Sequence, residues 1–348
     1  DVHETGLIWD QGDGDLRAWP VPGSLVLLHG TKPARAEVLM CMYELDGTPM
    51  TSDPRHSLQR QVDGLAAAGL TPAGAFELEF FLLSNQRGAD GKVQPARDVL
   101  DGRASSKTEV YSVDHLHGML PLFSDIYAGA ALAGITAETL ISEFAPGQYE
   151  LTLDYREDVM RAADDLIRLK RIVRAQARAH GVTACFMAKP VEAFAGSGMH
   201  FHVSMLDSVG RNVFMEAVEG EWGVNNRSVA LRIPAGDIKA RRVEHRPAGV
   251  DANPYLVAAT VLAAIRKGLA ERIDPGPQTT GNGYEAAETN EMPTDWHEAI
   301  RAAKQSAFLC EALGPDMHRT YCAIKAAEYA RVAATISEVD YDLYLHTV

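Results

Sequence analysis

Five glutamates and two histidines lie in segments whose side-chain patterns could gather them around a cation. In the first segment Glu77 and Glu79 alternate with bulky apolar residues, so a strand places both carboxylates on one face and packs the other face with Phe76, Leu78 and Phe80. Two acids aimed the same way repel unless a cation lies between them, and Mg²⁺ and Mn²⁺ prefer oxygen ligands. The alternative for this segment alone is a surface strand with a charged outer face.

A second pair of acids lies in residues 142–153. Pro146 and Gly147 predict a turn between Glu143 and Glu150, so the two carboxylates could converge from adjoining strands. Taken alone, the segment is also compatible with a hairpin that exposes both acids.

Two imidazoles follow a glycine-rich bend that begins at Gly196. On a strand His200, His202 and Ser204 share one face, and the glycines before them allow a ligand to approach the backbone. A single histidine is more often a structural residue than a ligand, but this spacing after such a bend favours a binding site.

Cations concentrate in one part of this otherwise acidic chain. The stretch 227–246 contains Arg227, Arg232, Lys239, Arg241, Arg242 and Arg246, with Glu244 among them as a further candidate metal ligand. The planar, forked guanidinium group suits phosphate, so the cluster indicates an anion site. A solvated charged face is the alternative.

Hydrophobic periodicity and turn residues predict the elements that hold these groups. We predict short strands over 7–43, and helices over 54–68, 115–133 and 158–180. A strand is predicted over 184–187, and Asn253 and Pro254 begin a long apolar helix.

Composition excludes several classes of protein. The chain has 348 residues, 46% of them hydrophobic, and 47 acidic against 33 basic residues give a net charge of −14. No basic cluster is long enough to follow a nucleic acid, and no apolar run is long enough to span a membrane. The four cysteines lack metal-site spacing and favour reduced thiols in a cytoplasmic protein. Because the chain begins at Asp1 without a methionine, we expect its true start to be missing, and a targeting segment stays possible.

The collected acids, imidazoles and arginines are the groups that phosphoryl transfer with divalent cations needs. The sequence has neither a Gly-x-x-x-x-Gly-Lys-Ser/Thr loop nor a kinase glycine-rich loop before a lysine strand. A nucleotide would therefore be held in another way.

Six motifs, in order, resemble those of the glutamine synthetase family over about residues 46–345. They are Glu77-Leu-Glu79, Pro146-Gly-Gln-Tyr-Glu150, Gly196-Ser-Gly-Met-His-Phe-His202, Asn226-Arg-Ser, Arg242-Val-Glu-His-Arg246 and Asn253-Pro-Tyr255. The sequence around Trp222, the run from His245 to Leu256 and the short spacing from Glu143 to Glu150 look closest to the branch that makes γ-glutamyl amides of amines, including polyamines.

The resemblance implies an α+β fold: a glutamine synthetase-like catalytic domain over 46–348, in which a curved antiparallel sheet carries the metal ligands and helices lie outside. Residues 1–45 would be the C-terminal remnant of an N-terminal β-grasp domain. It also implies a homo-oligomer, a dodecamer of two stacked hexameric rings.

The resemblance assigns a role to each matching position. The ligands of a first Mg²⁺ or Mn²⁺, which also orders the amine site, would be Glu79, Glu143 and Glu150. Those of a second, which bridges the phosphates of ATP, would be Glu77, His200 and Glu244. Nucleotide contacts would come from His202, Ser204, Lys239 and Arg242.

The remaining assignments concern catalysis and glutamate. Arg227 would stabilise the phosphoryl group in flight, and Glu143 would attract the ammonium and accept its proton. Glutamate would contact Gly196, Arg232 and Arg246, the last through its α-carboxylate.

The implied reaction joins the γ-carboxylate of L-glutamate to an amine through a γ-glutamyl phosphate formed from ATP. One alternative is a glutamine synthetase that uses ammonia, and another is a catalytically inactive structural relative. The acceptor amine and the preferred metal stay open.

Two departures from the family pattern concern the substrate site. The segment between Met215 and Trp222 is much shorter than in the family, and we expect it to lack residues that the complete protein has. Ala195 stands where the family often has asparagine, which weakens the case for ordinary glutamate binding.

Overall fold

The computed structural model describes residues 5, 7, 14–104, 107–108, 110–216, 225–235, 241–285, 293 and 295–345. Its strands are β1 (Arg17–Pro20), β2 (Val26–Leu27), β3 (Ala36–Glu37), β4 (Met40–Tyr43), β5 (Thr71–Ser84), β6 (Ala137–Ser142), β7 (Gln148–Leu153), β8 (Val182–Cys185), β9 (Phe201–Leu206), β10 (Leu231–Arg232) and β11 (Val243–His245). Its helices are α1 (Pro54–Ala67), α2 (Val113–Gly118), α3 (Leu120–Leu132), α4 (Val159–Ala179), α5 (Pro254–Glu271), α6 (Trp296–Gln305), α7 (Ala307–Leu313), α8 (Pro315–Ala333) and α9 (Glu338–Tyr344). None of the helices in these residues is both long and apolar enough to cross a membrane.

The chain divides into two compact units, of which the larger comprises residues 20–40 and 58–287. Its main sheet has seven strands in the order β10-β11-β9-β5-β7-β6, with β8 also pairing β5, and every pair is antiparallel. Helix α4 packs against β5 and β8, and α3 and α5 pack against α4. The predicted fold class, α+β with an antiparallel sheet and outer helices, is confirmed. The boundary predicted near residue 45 stays a prediction.

Strand β5 lies at the centre of this unit, with an apolar face buried in the core and an acidic face on the other side of the sheet. Phe76, Leu78 and Phe80 are fully buried, and the ring of Phe76 stacks on Phe201 of β9 with 4.6 Å between centroids. The carboxylates of Glu77 and Glu79 alternate with these rings and therefore lie on the opposite face. The apolar face anchors the strand, so the acidic face is held in a fixed position.

Helix α4 begins and ends where local signals in its sequence predict. The side chain of Asp158 caps the helix by accepting from the backbone N–H groups of Met160 and Arg161. Leu166, Leu169 and Val173 form a fully buried stripe, and the helix ends one residue before His180, so the range predicted from sequence is correct within a residue at each end.

Two predicted elements were wrong in detail. The helix expected over 115–133 is two helices, α2 and α3, because the chain turns at Met119 and Pro121, which cannot donate a backbone hydrogen bond, lies in the first turn of α3. The strand expected over 184–187 is Val182–Cys185, since its register is set by pairing with residues 81–84 of β5.

The smaller unit comprises residues 1–19, 41–57 and 288–348. Helix α8 packs against α6 and α7, and the rings of Trp296 and Tyr329 meet edge to face with 5.7 Å between centroids. The hydroxyl of Ser57 donates to the carbonyl of Leu313 at 3.2 Å, and that of Thr51 donates to Asp316 at 2.7 Å. These bonds fix residues 51–57 to the helices of the same unit.

Candidate active site

The candidate site is a patch of acids and imidazoles on adjoining strands of the seven-stranded sheet. The strand register places Glu79 directly opposite Glu150 on β7, and His202 of β9 opposite Glu244 on β11. Residues that are far apart in sequence therefore meet on one face of the sheet.

Glu77 lies at the centre of the patch. Its two carboxylate oxygens lie 2.7 Å from Nδ1 of His200 and 2.8 Å from Nε2 of His202. Burial opposes its ionisation, but the hydrogen bonds from both imidazoles outweigh that cost and hold the pKa of Glu77 below its ordinary value. Glu77 is consequently a fixed anion that orients both histidines.

Glu79 points toward the glycine-rich bend that precedes β9. Its Oε2 accepts the backbone N–H of Gly198 at 2.8 Å, and its Oε1 lies 3.9 Å from Nε2 of His200. Burial raises the pKa of Glu79 in spite of that hydrogen bond. The carboxylate thus has a free energy cost of ionisation that a bound cation would offset.

Glu143 and Glu150 extend the acidic patch. The turn at Pro146 and Gly147 led us to expect that these two carboxylates converge. Burial first, and then the charges of Glu77, Glu143 and Glu79, raise the pKa of Glu150 to about 8. Glu143 is half-buried at the end of β6, and its carboxylate accepts the backbone N–H of Phe144 at 3.1 Å. Four acids that repel one another in a partly buried patch favour a divalent cation.

The raised pKa of Glu150 predicts that divalent metal binds more weakly at lower pH. Glu150 must be ionised to bind a metal, so below pH about 8 each cation bound displaces a proton and the affinity falls by up to about tenfold per pH unit. Calorimetric titration with Mg²⁺ from pH about 6 to 9, in buffers of different ionisation enthalpy, measures both the affinity and the proton release. An affinity that does not change over this range would contradict the assignment.

Glu244 is fully buried and contacts the arginines of the site. Its carboxylate pairs with Nη1 of Arg232 at 2.7 Å and also with Nη1 of Arg246. Burial opposes its ionisation, but His202, Arg246 and Arg232 hold the pKa of Glu244 below its ordinary value. Arg242 donates from Nε to Nδ1 of His202 at 3.0 Å, which brings a third guanidinium to the imidazoles.

Two groups of three side chains could each hold a cation, because within each group the ligand atoms lie within 4.8 Å of one another. The first group is Glu77, Glu150 and His200, and the second is Glu77, His202 and Glu244. Oxygen donors supplemented by one imidazole fit Mg²⁺ or Mn²⁺. Both groups share Glu77, whereas the assignment from resemblance divides six residues into two separate sets. That assignment stays a prediction.

A cavity of about 450 Å³ opens beside these groups. Three of the predicted nucleotide contacts, His202, Ser204 and Arg242, line it together with Asn212 and Asp154. The hydroxyl of Ser204 donates to the carbonyl of Arg241 at 3.1 Å, and the amide of Asn212 donates to the same carbonyl at 2.7 Å. The fourth predicted contact, Lys239, lies outside the described residues, as do residues 217–222 of the segment between Met215 and Trp222.

The bend at Gly196 is held by a residue that the sequence reasoning did not single out. The side-chain amide of Gln148 donates to the carbonyl of Gly196 at 2.9 Å and to the hydroxyl of Ser197 at 3.1 Å. Gln148 is buried at the start of β7, two residues before Glu150. A polar residue in the buried Pro-Gly-Gln turn was the signal that could have identified it.

Arg227 lies in a turn before β10 and is exposed, whereas Arg232 and Arg246 are partly buried in ion pairs with Glu244. Asn225, which has a positive φ of 52°, accepts a hydrogen bond from Nη2 of Arg232 at 3.1 Å. The predicted phosphoryl contact of Arg227 stays a prediction.

Gly198 lies so close to the acids that a methyl group would disturb them. A Cβ there would lie 2.9 Å from Nε2 of His200 and 3.3 Å from Oε1 of Glu79. We expect Gly198→Ala to lower kcat/KM by about 100-fold, because small displacements of catalytic groups have effects of this size. Steady-state kinetics with unchanged far-ultraviolet circular dichroism would test this.

The matched control for this variant is Gly268→Ala in α5. A Cβ there meets nothing within 4 Å, so the substitution should leave activity intact and stabilise the helix by up to about 1 kcal/mol. Full activity in Gly198→Ala would mean that the bend is not packed against the acids as described.

A sheet face that combines buried carboxylates, imidazoles and arginines beside a cavity is typical of metal-dependent enzymes that transfer phosphoryl groups. Residues 51–220 and 215–344 match the glutamine synthetase catalytic domain, so the chain belongs to the glutamine synthetase family. The resemblance predicted from the six motifs is therefore confirmed, and the chain is an ATP-dependent ligase of glutamate.

Similar proteins include a γ-glutamylputrescine synthetase and a glutamate–isopropylamine ligase. The chain is 35% identical over 388 residues to gamma-glutamylputrescine synthetase PuuA of Escherichia coli, covering 99% of this chain and 82% of that protein. It is 29% identical over 324 residues to glutamate–isopropylamine ligase of a Pseudomonas species, covering 80% and 70%. A solved structure described as apo GmaS without ligand is similar with a TM-score of 0.84 at 26% identity, covering 96% of this chain and 86% of that one.

Proposed function

We propose that this ligase joins the γ-carboxylate of L-glutamate to an organic amine or polyamine, through a γ-glutamyl phosphate. The observation that carries the ligase chemistry is the acidic patch centred on Glu77, which adjoins both the partly buried arginines that pair with Glu244 and the cavity. The 35% identity to a γ-glutamylputrescine synthetase over almost the whole chain supports an organic amine as acceptor.

The acidic patch and the imidazoles would hold two or three divalent cations. Their ligands would be drawn from Glu77, Glu79, Glu143, Glu150, His200 and Glu244, whose oxygen-rich donor set fits Mg²⁺ or Mn²⁺. When bound, these cations neutralise charge on phosphate oxygens and polarise the phosphoryl group.

In the first step an oxygen of the glutamate γ-carboxylate attacks the γ-phosphorus of ATP, and the bond to the bridging oxygen of ADP breaks. The cavity beside His202, Ser204 and Arg242 would hold the nucleotide, with Lys239 as a further contact. Arg227 would counter the charge on the transferred group, as an arginine does in other phosphoryl transfers.

Glutamate would bind beside the bend at Gly196, with its carboxylates facing Arg232 and Arg246. Both guanidinium groups also pair with Glu244, which fixes their planes before the substrate arrives. Gln148, at the start of β7, holds the bend in place through its side-chain amide.

In the second step the amine nitrogen attacks the acyl carbon, and the bond to phosphate breaks. The amine arrives as an ammonium ion and must lose a proton first. Glu143, half-buried at the edge of the acidic patch, would attract the cation and accept that proton.

The test of this proposal is phosphate release from ATP by the full-length protein with Mg²⁺ and glutamate, using ammonia, methylamine, ethanolamine, putrescine and spermidine as acceptors. Release that requires an organic amine and is weak with ammonia supports the proposal and identifies the amine class. A preference for ammonia would instead favour glutamine synthesis. No release with any amine would favour an inactive structural relative.

We further propose that the chain assembles as a dodecamer of two stacked hexameric rings. Leu25 and Leu27, in and beside β2, are exposed, and Leu343 of α9 and Leu345 just after it are also exposed, which suits subunit contacts. Light scattering coupled to size exclusion should give twelve times the mass of the chain. A monomer at micromolar concentration would contradict the proposal.

A further inference from the structure

A cysteine, an aspartate and a histidine meet where β4 approaches the first turn of α1. One ligand atom from each of Cys41, Asp53 and His56 lies within 4.8 Å of the other two. The three residues belong to the smaller unit and are separate in the sequence from the acidic patch of the larger one. Cys41 is 2% exposed and Asp53 is 8% exposed, whereas His56 is partly exposed, so the group is only partly open to water.

One ring nitrogen of the histidine in this group is fixed by a backbone carbonyl. Nε2 of His56 lies 3.0 Å from the carbonyl oxygen of Met42. A carbonyl can only accept, so Nε2 carries a proton, and Nδ1 is the nitrogen that a metal would bind in the neutral ring. A hydrogen bond from one ring nitrogen to a backbone carbonyl fixes the ring while the other nitrogen binds metal. The ring is also held edge to face against Tyr43, with 5.0 Å between centroids.

The carboxylate of Asp53 is fixed by the backbone on both sides. Its Oδ2 accepts the N–H of Met42 at 2.9 Å and its Oδ1 accepts the N–H of Arg55 at 2.8 Å. Each carboxylate oxygen has a further lone pair, so these bonds orient the group without using up its capacity to bind a cation. The sulfur of Cys41 lies 3.9 Å from Nη1 of Arg55, a guanidinium that a bound cation would displace from the sulfur.

We propose that Cys41, Asp53 and His56 form a site for one transition-metal cation of the Zn²⁺ type, which fastens β4 to the start of α1. A sulfur, an imidazole nitrogen and a carboxylate oxygen form a donor set that suits Zn²⁺ and that Mg²⁺ does not favour. Three protein ligands leave one position of a tetrahedral ion for water. The site is chemically distinct from the oxygen-rich groups around Glu77.

Cobalt(II) is a suitable probe because a thiolate bound to it gives a charge-transfer absorption in the near ultraviolet that oxygen and nitrogen ligands do not give. The full-length protein is titrated with Co²⁺ in excess Mg²⁺, which occupies the oxygen-rich groups. The matched variants are Cys41→Ser and Cys310→Ser, since Cys310 is a partly buried cysteine of the same unit.

The proposal predicts one equivalent of thiolate-bound Co²⁺ in the wild type and in Cys310→Ser, displaced by Zn²⁺, and none in Cys41→Ser. His56→Gln keeps a donor for the Met42 carbonyl but should bind Co²⁺ roughly 100-fold more weakly. Loss of a ligand should reduce the metal affinity at least as much as loss of a residue that hydrogen-bonds to a ligand. No charge-transfer band in the wild type, or a band that persists in Cys41→Ser, would overturn the proposal.

Discussion

Glu77→Gln should lower kcat/KM for the ATP-dependent reaction by about 10³-fold or more. Glu77 belongs to both groups of potential metal ligands and is hydrogen-bonded to His200 and His202, so its loss weakens both groups at once. Metal ions contribute several kcal/mol to such reactions, and each 1.36 kcal/mol corresponds to about tenfold in rate. The amide of glutamine keeps the shape of the side chain, so the fold should persist. Phosphate release at saturating Mg²⁺ measures the effect.

The matched control is Glu157→Gln, an exposed glutamate in the loop between β7 and α4, whose activity should stay within twofold of the wild type, about the spread of a neutral surface change. If Glu77→Gln retained a tenth or more of the wild-type activity, the activation free energy would have risen by no more than about 1.4 kcal/mol. That result would place the catalytic centre elsewhere.

Glu244→Gln should cost stability as well as activity. The wild-type carboxylate is fully buried between Arg232 and Arg246, and removing one partner of such a network leaves buried charge without compensation. The expected loss is about 3 kcal/mol in the free energy of unfolding, measured by urea denaturation at a fixed protein concentration. Because the pKa of Glu244 is lowered in the folded state, its contribution is present above the ordinary value of 4.5 and declines as the pH falls through the folded value.

Glu271→Gln is the matched control for stability. Glu271 pairs with Lys267 at 2.6 Å, but both side chains are about half exposed, so the change should cost less than about 0.5 kcal/mol. Equal stability of Glu244→Gln and wild type at neutral pH would mean that the arginines are not held by this carboxylate.

Local sequence signals predicted the elements of the site well. The alternation around Glu77 and Glu79 predicted the two faces of β5, and Asp158 predicted the start of α4. These features depend on neighbouring residues only, because side-chain alternation and helix capping are properties of short segments. The six ordered motifs were equally informative, since their resemblance to those of the glutamine synthetase family indicated the family that the catalytic-domain match shows.

Contacts between distant strands could not be predicted in the same way. Pairing fixes which carboxylate meets which imidazole, and the opposition of Glu79 and Glu150 depends on the register of β5 against β7. A shift of one residue would turn each side chain to the other face. The length of β5 likewise depends on distant contacts, because three different strands pair along it.

The roles of buried polar residues that belong to no recognised chemical motif could not be predicted from the sequence either. Gln148 lies within the Pro-Gly-Gln-Tyr-Glu motif, but its function depends on hydrogen bonds to Gly196 and Ser197, which are about fifty residues away in the chain. The group of Cys41, Asp53 and His56 was missed because its spacing follows no metal motif and only the approach of β4 to α1 brings it together.

The proposed reaction is tested most directly by oxygen transfer from glutamate to phosphate. Glutamate labelled with ¹⁸O in the γ-carboxylate is incubated with ATP, Mg²⁺ and the preferred amine of the panel, and the released phosphate is analysed by mass spectrometry. A γ-glutamyl phosphate requires one labelled oxygen in every phosphate released, because the bond that breaks lies between the acyl carbon and that oxygen. Phosphate without label would show that ATP is hydrolysed by water and would contradict the central claim.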